Sequence, residues 1–335
     1  MSDLIKTFEG HSTHVSCLTL LDDGTFLSGS HDYTIKLWDI KTGSLLKTFE
    51  GRSAWVRCLA VLDDGTFLSG SDDYTIKLWD IKTGSLLKTF EGHSGSVYSL
   101  SLLADGTFLS GSGDRTIKLW DIKTGSLMTF EGHSRPVTCL SLLDDGTFLS
   151  GSYDTTIKLW DIKTGSLLKT FEGHSAWVYC LAVLDDGTFL SGSDDYTIKL
   201  WDIKTGALLK TFEGHSTYVR CISLLEDGTF LSGSYDHTIK LWDIKTGSLL
   251  KTFEAHSGYI RCLSVLDDGT FLSLSCDSTI KLWSTPLSQA KAETKKRKMS
   301  LMDELVEFSY LPPSKGFKGG PLFQEAEREW KCRHK

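Results

Sequence analysis

Apolar and polar positions follow one another along this chain in short runs of strand length, separated by residues that form turns. In the first unit, the apolar run 15–21 is typical of a strand covered on both faces, and Asp22-Asp23-Gly24 after it is a tight-turn signal. Three further strands are predicted at 25–30, 34–38 and 45–49. Four short strands joined by tight turns predict one antiparallel sheet for this unit.

The same unit returns at a fixed period. The run Thr34-Ile35-Lys36-Leu37-Trp38-Asp39 recurs almost letter for letter, and its seven tryptophans are separated by 41, 41, 40, 41, 41 and 41 residues: Trp38, Trp79, Trp120, Trp160, Trp201, Trp242 and Trp283. A constant period of this size indicates one supersecondary unit copied many times. Seven copies of a four-stranded unit predict an all-β fold, a single seven-bladed β-propeller.

The two ends of the repeat region predict how the ring closes. The seventh unit reaches only its third strand, 279–283, before Ser284-Thr285-Pro286 ends the pattern. Residues 4–9, Leu-Ile-Lys-Thr-Phe-Glu, match the fourth-strand motif Leu-Leu-Lys-Thr-Phe-Glu. We therefore expect the N-terminal strand to complete the last blade, because this removes the open edge of the sheet.

A Gly-His pair near the start of each unit and a Trp-Asp pair near its end, as in Gly10-His11 and Trp38-Asp39, resemble the WD40 family over roughly residues 4–284. The resemblance implies one propeller for 4–284. After it the repeat ends and the composition shifts, so a basic C-terminal tail, partly helical or disordered, is expected for 285–335. The resemblance also implies a hydrogen-bond chain in each blade, from the Trp indole through Ser and His to Asp. These structural tetrads are His11, Ser28, Asp32, Trp38; His93, Ser110, Asp114, Trp120; His133, Ser150, Asp154, Trp160; His174, Ser191, Asp195, Trp201; His215, Ser232, Asp236, Trp242; and His256, Ser273, Asp277, Trp283.

Two blades depart from this pattern. In the second blade Arg52 stands where the histidine belongs, which leaves Ser69, Asp73 and Trp79 without it. Because an orphaned buried hydrogen-bond partner is costly, we expect Arg52→His to stabilise the protein by about 1 kcal/mol. In the third blade one residue is missing, since Leu127-Met128-Thr129-Phe130 replaces Leu-Leu-Lys-Thr-Phe. We expect a bulge or turn in the outer strand to absorb the loss.

A serine, a histidine and an aspartate in each unit invite comparison with a hydrolase triad. A catalytic site occurs once, in a cleft, whereas this set occurs in nearly every blade, so the structural role is favoured. The histidines are spread one per blade around the ring and do not converge on a single metal ion. The sequence therefore predicts a protein that is not an enzyme, with no catalytic residue, no metal and no cofactor.

The charge and the cysteine content of the chain restrict which classes of partner and which cellular compartment the sequence predicts. Residues 1–284 carry 25 Lys and Arg against 36 Asp and Glu, and residues 285–335 carry 11 against 7. An acidic body argues against nucleic-acid binding by the propeller, because such binding needs neutralised phosphates. No run of about 18 apolar residues exists, so no membrane span is predicted. Six of the eight cysteines hold equivalent positions in separate blades and no secretion signal is visible, which predicts unpaired thiols in a reduced intracellular compartment.

Comparison of the repeats with one another locates the candidate site. The turns after strands one and three lie at one end of the propeller, the uniform end, and keep nearly the same sequence, with Ala104 among the few exceptions. The opposite end, the variable end, differs from blade to blade at the start of strand one and on both sides of the turn aspartate. Tyr, Trp and Arg are enriched there, as they are at interface hot spots. The predicted partner-binding residues are His14, Trp55, Arg57, Tyr98, Trp177, Tyr179, Tyr218, Arg220, Tyr259 and Arg261.

Three arginines suggest the chemistry of the partner. Arg57, Arg220 and Arg261 are predicted to form a crescent that binds an acidic or phosphorylated side chain of a peptide, since Arg pairs bidentately with carboxylate and phosphate. The alternative is that Asp72 and other acids already neutralise them.

The sequence favours a non-catalytic scaffold or adaptor, a monomeric propeller within a larger complex, that binds peptide segments of other proteins at the variable end. A substrate-recognition or regulatory subunit of a ubiquitin ligase, or of a chromatin or RNA-processing assembly, is an alternative that the resemblance leaves open. A propeller hydrolase is a more distant one. In the tail, Lys295-Lys296-Arg297-Lys298 is compatible with nuclear import or with a solvated linker, so a cytoplasmic location with a nuclear alternative is expected. Helical patterns are predicted at 301–308 and 324–330.

Overall fold

The computed structural model describes residues 3–294 as a seven-bladed β-propeller, which confirms the predicted fold class. Each blade is a four-stranded antiparallel sheet, and in the first six blades the strands pair in sequence order from the central channel outwards. Among these residues no helix has the length and apolar character needed to cross a membrane. The helices predicted at 301–308 and 324–330, and the basic run 295–298, lie outside the described residues.

The strands keep nearly the same bounds in every blade. Blade 1 holds β2 (Val15–Leu20), β3 (Thr25–Ser30), β4 (Ile35–Asp39) and β5 (Leu45–Phe49); blade 2 holds β6 (Val56–Val61), β7 (Thr66–Ser71), β8 (Ile76–Asp80) and β9 (Leu86–Phe90). Blade 3 holds β10 (Val97–Leu102), β11 (Thr107–Ser112), β12 (Ile117–Asp121) and β13 (Gly125–Phe130); blade 4 holds β14 (Val137–Leu142), β15 (Thr147–Ser152), β16 (Ile157–Asp161) and β17 (Leu167–Phe171). Blade 5 holds β18 (Val178–Val183), β19 (Thr188–Ser193), β20 (Ile198–Asp202) and β21 (Leu208–Phe212); blade 6 holds β22 (Val219–Leu224), β23 (Thr229–Ser234), β24 (Thr238–Asp243) and β25 (Leu249–Glu254). Blade 7 holds β26 (Ile260–Val265), β27 (Phe271–Ser275), β28 (Ile280–Trp283) and the N-terminal β1 (Leu4–Phe8).

The ring closes through β1, as the termini predicted. In blade 7 the strand order is β1-β28-β27-β26, and β1 pairs antiparallel with β28, with Phe8 opposite Ile280 and Lys6 opposite Leu282. The last blade is therefore built from both ends of the repeat region, and β28 is paired on both sides, with β27 and with β1.

A short helix, α1 (286–294), follows the last strand of the propeller and packs against blade 7. Thr285 is fully buried and its hydroxyl donates to the carbonyl of Gly269 at 2.7 Å. Leu287 packs beside Trp283 in the same apolar cluster. The helix lies where the other blades have the turn between their third and fourth strands. In blade 1 that turn packs an isoleucine, Ile40, against the core.

The apolar core lies between blades. One cluster joins Leu27, Ile35 and Phe49 of blade 1 to Phe67 and Trp79 of blade 2, and the other clusters repeat this arrangement around the ring. The close approach of neighbouring sheets favours glycine in the second strand of six blades, whereas blade 7 has the buried Leu274 there. A Cβ added to Gly29 would lie 2.5 Å from Cγ1 of Val56, a residue of the next blade. Each blade therefore depends on its neighbour for a core.

The residue missing from blade 3 is lost from a turn. In blade 1 the pairing of β4 with β5 ends at Trp38 and Leu45, whereas in blade 3 the pairing of β12 with β13 continues to Asp121 and Gly125. The hairpin is shorter by one residue and the register of the strand beyond it is kept. This agrees with the expectation that a turn or bulge in the outer strand absorbs the loss.

In six of the seven blades, a lysine in the outer strand joins the blade to the next one at the uniform end. The ammonium of Lys47 donates to the carbonyl oxygens of Ile81, at 3.1 Å, and Lys82 in the next blade. Equivalent bonds are made by Lys6, Lys88, Lys169 and Lys210. Lys251 instead donates to the carboxylate of Asp3 at 2.7 Å. In blade 3 the equivalent position opposite Leu119 is Met128, whose side chain has no ammonium to donate.

Met128→Lys is therefore expected to stabilise the propeller by about 1 kcal/mol, because a charged donor then reaches the free carbonyl oxygens of blade 4. Equilibrium unfolding in urea measures the change. Lys47→Met is the matched reverse substitution and is expected to lower the free energy of unfolding by a similar amount. Equal stability of Met128→Lys and the parent chain would contradict a stabilising role for these lysine bonds.

Candidate functional site

A β-bulge in the first strand of every blade aims one residue into the mouth of the central channel. In blade 1 the register of β2 with β3 shifts between Val15 and Cys17, so Ser16 has no partner in the ladder. Bulges re-aim side chains in this way. The same shift occurs in all seven blades, and the bulged residues are Ser16, Arg57, Tyr98, Thr138, Tyr179, Arg220 and Arg261.

These seven residues, with Tyr153 and Tyr235, line one polar cavity of about 160 Å³, which we call the channel mouth. Five of the predicted partner-binding residues lie here: Arg57, Tyr98, Tyr179, Arg220 and Arg261. The structure thus brings together side chains from seven separate repeats. Periodicity places them at one end of the fold, but only the bulge directs them inwards.

The other five predicted residues form an outer tier. His14, Trp55, Trp177, Tyr218 and Tyr259 precede the first strand of their blades and are exposed. Tyr33, Tyr74 and Tyr196 are exposed beside them and were absent from the predicted set. We call Trp55, Trp177, Tyr218 and Tyr259 with these three tyrosines the aromatic rim. The sequence signal that could have identified these three tyrosines is the variation on both sides of the turn aspartate.

The three added tyrosines have a backbone conformation that is unusual for their type. Tyr33, Tyr74 and Tyr196 have φ values of 68°, 69° and 70°. This left-handed conformation costs a non-glycine residue free energy, and glycine or asparagine adopts it more readily. Tyrosine at these positions therefore has no benefit for the local backbone, which is consistent with a role of the exposed ring in binding.

Stacking between blades holds much of the rim in place. The rings of His31 and Trp55 are 4.0 Å apart and nearly parallel, and Tyr153 stacks on Trp177 at 4.1 Å. Tyr235 stacks on Tyr259 at 4.3 Å. In each pair, the residue before the turn aspartate of one blade supports the rim residue of the next. Trp55, Trp177 and Tyr259 are therefore preorganised, which lowers the entropic cost of binding.

The three arginines of the channel mouth are not equivalent. Arg57 donates from Nε and Nη2 to the two carboxylate oxygens of Asp72, both at 2.7 Å, and its guanidinium lies 4.9 Å from the ring of Trp55. Its charge is compensated within its own blade. For Arg57, the alternative to an arginine crescent, neutralisation by Asp72, is what the structure has.

Arg220 and Arg261 form no ion pair with an acid of residues 3–294. The guanidinium of Arg220 lies 3.8 Å from the ring centre of Tyr179, and its buried Nε has no hydrogen-bond partner in this part of the chain. Arg261 donates from Nε to the sulfur of Cys276 at 3.2 Å and lies 5.4 Å from the ring of Tyr235. Two guanidinium groups are thus held by aromatic faces without a counter-ion.

The positive character of this region affects a nearby histidine. Burial, together with the charges of Arg57 and Arg261, lowers the pKa of His31 to about 4. His31 is therefore neutral at physiological pH and acts as an aromatic support for Trp55. The charge available to a ligand at the channel mouth comes from Arg220 and Arg261.

The tetrads lie away from this cavity, inside the blades. In blade 1 the indole N–H of Trp38 donates to Oγ of Ser28 at 2.8 Å, and Nε2 of His11 is 2.8 Å from the same oxygen. Nδ1 of His11 is 2.8 Å from Oδ2 of Asp32. Because the indole can only donate, the hydroxyl proton of Ser28 is free for Nε2, and the Nδ1 proton for the carboxylate. The serine oxygen is buried, which fits a structural role.

Hydrogen bonds hold the tetrad aspartates in their ionised form. Burial alone would raise the pKa of Asp32, but hydrogen bonds from His11 and Thr34 lower it well below its ordinary value. The same balance lowers the pKa of the equivalent residues Asp114, Asp154, Asp195, Asp236 and Asp277. Six blades thus carry an ionised, partly buried carboxylate that stabilises the turn before the third strand.

Arg52 replaces the missing histidine of blade 2, contrary to the expectation of a broken network. Its Nη1 donates to Oδ1 of Asp73 at 3.0 Å and to Oγ1 of Thr75 at 2.8 Å, and its Nη2 donates to Oγ of Ser69 at 2.7 Å. The indole of Trp79 still donates to Ser69. Only Nε of Arg52 is buried without a partner in the described chain. The predicted gain from Arg52→His therefore loses its basis.

Between residues 3 and 294, no group of three or more His, Cys, Asp or Glu side chains has the arrangement of a metal site. The polar groups of the channel mouth are guanidinium, phenol and hydroxyl groups. Such groups bind anions and form hydrogen bonds, and they neither hold a metal ion nor provide a base beside a nucleophile.

Comparison with known proteins agrees with this architecture. A family model for the WD domain, G-beta repeat, matches residues 2–39, 43–80, 84–121, 125–161, 165–202, 206–243 and 247–284. Each match runs from the outer strand of one blade to the third strand of the next, as the first does from β1 to β4. The solved WD40 β-propeller domain of Doa1 superposes with a TM-score of 0.78 and 32% identity, over 85% of this chain and 97% of that one.

Curated relatives match over single repeats. Human WD repeat-containing protein 18 is 49% identical over 41 residues, which is 12% of this chain and 10% of that protein. The probable E3 ubiquitin ligase complex SCF subunit sconB of Emericella nidulans is 51% identical over 39 residues, 12% of this chain and 6% of that protein. The chain thus aligns with a tenth or less of the length of these relatives.

Arg52→Ala is expected to lower the free energy of unfolding by about 3 kcal/mol, because it leaves the carboxylate of Asp73 without its cation. Arg52→His, which restores the common tetrad, is expected to remain within about 1 kcal/mol of the parent chain. Urea unfolding measures both. His174→Ala in blade 5 is a suitable control, because residues 53–82 and 175–204 differ only at Arg57 and Tyr179. Unchanged stability of Arg52→Ala would show that the arginine network contributes nothing.

The free energy of unfolding of the propeller should fall only in the strongly acidic pH range. The unfolded aspartates take up protons near pH 4, whereas the folded tetrad aspartates, with their lowered pKa, remain ionised. The unfolded state then binds more protons, so the free energy of unfolding falls as the pH drops below about 4. Urea unfolding from pH 7 to pH 3 measures this dependence. A large loss of stability already between pH 7 and pH 5 would assign the effect to histidines instead.

Proposed function

The chain belongs to the WD40-repeat family, whose propellers generally serve as protein-interaction scaffolds, and on this premise we propose that it is a non-catalytic scaffold that binds peptide segments of other proteins at its variable end. The observation that carries the proposal is the two-tier surface at that end. An exposed aromatic rim surrounds a small cavity that holds two guanidinium groups without a counter-ion.

The aromatic rim supports binding to a polypeptide. Trp55 and Trp177 are each 41% exposed, and Tyr259 is 44% exposed, although each is held by a stacked neighbour. Rigid, exposed aromatic rings supply large contact areas at a low entropic cost and are enriched at interface hot spots. An extended segment that crosses the channel mouth would contact several of these rings at once.

The channel mouth supports an acidic or phosphorylated side chain in that segment. Arg220 and Arg261 are oriented by aromatic contacts and form no ion pair with a carboxylate of residues 3–294, so both can pair with a carboxylate or phosphate of a ligand. A cavity of about 160 Å³ has room for one such group. Charge-assisted hydrogen bonds to a guanidinium are stronger than neutral ones, at about 1.5–3 kcal/mol each. Arg57 is a weaker candidate, because Asp72 already accepts its two donors.

The scaffold is proposed to act within a larger complex of proteins. The likeness to an SCF ubiquitin ligase subunit covers about one repeat, and all seven repeats of this chain share that pattern. Such a likeness supports the family and does not favour a ligase over a chromatin or RNA-processing assembly. No observation at the channel mouth favours the hydrolase alternative.

Arg220→Ala combined with Arg261→Ala is expected to remove the preference for anionic peptides. The probe is a degenerate peptide library in three forms, with a central phosphoserine, glutamate or serine, and fluorescence anisotropy of selected members measures affinity. The parent chain is expected to select the phosphoserine or glutamate forms. The double variant is expected to bind them about 30-fold more weakly, because charge-assisted hydrogen bonds are lost.

Arg115→Ala is the matched control, since Arg115 is an exposed arginine at the same end and in the same type of turn. It removes one positive charge without touching the channel mouth, and affinity is expected to stay within about twofold. Melting temperatures of all variants exclude unfolding as the cause. Anionic peptides that bind the double variant as tightly as the parent chain would contradict the proposal for the channel mouth.

A further inference from the structure

A groove at the uniform end marks a second surface, in the region where the repeats are otherwise most alike. It lies between blades 2 and 3 and has a volume of about 590 Å³. Its walls are the turn after the first strand of blade 2, the same turn of blade 3, and the turn between β12 and β13.

Two departures from the repeat pattern converge on this groove. The first is Ala104, which lines the groove and occupies a position that carries an acid in the six other blades: Asp22, Asp63, Asp144, Asp185, Glu226 and Asp267. The second is the shortened hairpin, whose residues Asp121, Ile122 and Lys123 form another wall. Both changes fall in blade 3 and at the same end. A methyl group thus stands where every other blade has a carboxylate.

The floor of the groove is apolar and firmly supported. Leu62, Leu102 and Ile122 line it and pack against the core cluster that joins blades 2 and 3. The two blades are tied together here by Lys88, which donates to the carbonyl oxygens of Ile122 at 2.8 Å and Lys123 at 2.7 Å. A ligand would therefore meet a preformed apolar surface, which is typical of a binding groove.

The edge of the groove is negatively charged. Asp63, Asp64 and Asp105 are exposed along it, and Lys123 is the one cation in its lining. Asp64 uses Oδ1 to accept bonds from the amide and hydroxyl of Thr66, so its other carboxylate oxygen faces solvent without a partner in the described chain. Asp63 makes no side-chain bond or ion pair within residues 3–294.

We propose that this groove binds a segment of another protein in which lysine or arginine residues flank one large apolar side chain. The apolar side chain enters the groove beside Ala104, and the flanking cations pair with Asp63, Asp64 and Asp105. An acidic peptide of the kind that suits Arg220 and Arg261 is repelled by these three carboxylates. The groove and the channel mouth therefore select partners of opposite charge and do not compete.

The proposal is tested with three fluorescent twelve-residue peptides and the full chain. The first has two lysines on each side of a central leucine, the second has glutamates in place of the lysines, and the third has serine in place of the leucine. Only the first is expected to bind measurably. Ala104→Asn covers the floor without adding charge and is expected to weaken binding at least tenfold, and Asp63→Asn with Asp105→Asn is expected to weaken it and reduce its dependence on salt.

Asp185→Asn makes the equivalent change in blade 5 and is expected to leave binding unchanged. Equal binding of the leucine and serine peptides would overturn the proposal, because attraction to the acidic end as a whole would explain it. Equal binding by the parent chain and Ala104→Asn would also overturn it. The chain itself carries a basic run followed by apolar residues at 295–302. If the leucine peptide binds only after Lys295, Lys296, Arg297 and Lys298 are replaced by glutamine, the occupant is that segment and not another protein.

Discussion

The burial of apolar surface between neighbouring blades is the constraint on which the rest of the structure depends. A cluster such as Leu27, Phe49, Phe67 and Trp79 includes residues of two blades, so no single blade can bury its own apolar face. The array must close, and β1 closes it by pairing with β28 in the last sheet. Gly29 and its equivalents keep the sheets close enough for this burial, because a Cβ there would meet the next blade.

As a result of this packing, the side chains at the two ends of the propeller have different roles. At the uniform end, turns and lysine bonds such as that of Lys47 fix the spacing between blades. The tetrads fix the turn before the third strand from inside the blade. The side chains at the variable end contribute little to the spacing and packing of the blades, so they can differ among repeats without destabilising the fold. The bulge in each first strand then directs one of the variable residues into the channel mouth.

Much of the fold followed from the period of the tryptophans and from the match of residues 4–9 to the outer-strand motif. The end of the propeller at which the candidate site lies also followed, because repeats can be compared within one chain. Contacts between specific side chains could not be predicted in the same way. Whether Asp72 neutralises Arg57, or Arg52 can bridge Ser69 and Asp73, depends on distances of a few ångströms that no spacing in the sequence encodes. The packing of α1 could not be read from the repeats either, because Leu287 lies beyond the last repeat and takes the place of a turn isoleucine.

The central claim is that the variable end is the principal binding surface, and a hydrogen-exchange footprint of the intact chain with a bound anionic peptide tests it most directly. The account predicts slower exchange at the start of the first strands, in segments 54–57, 176–179, 217–220 and 258–261. It predicts no change in the turns of the uniform end, such as 62–65 and 184–187. Protection confined to those turns, with the starts of the first strands unaffected, would contradict the account.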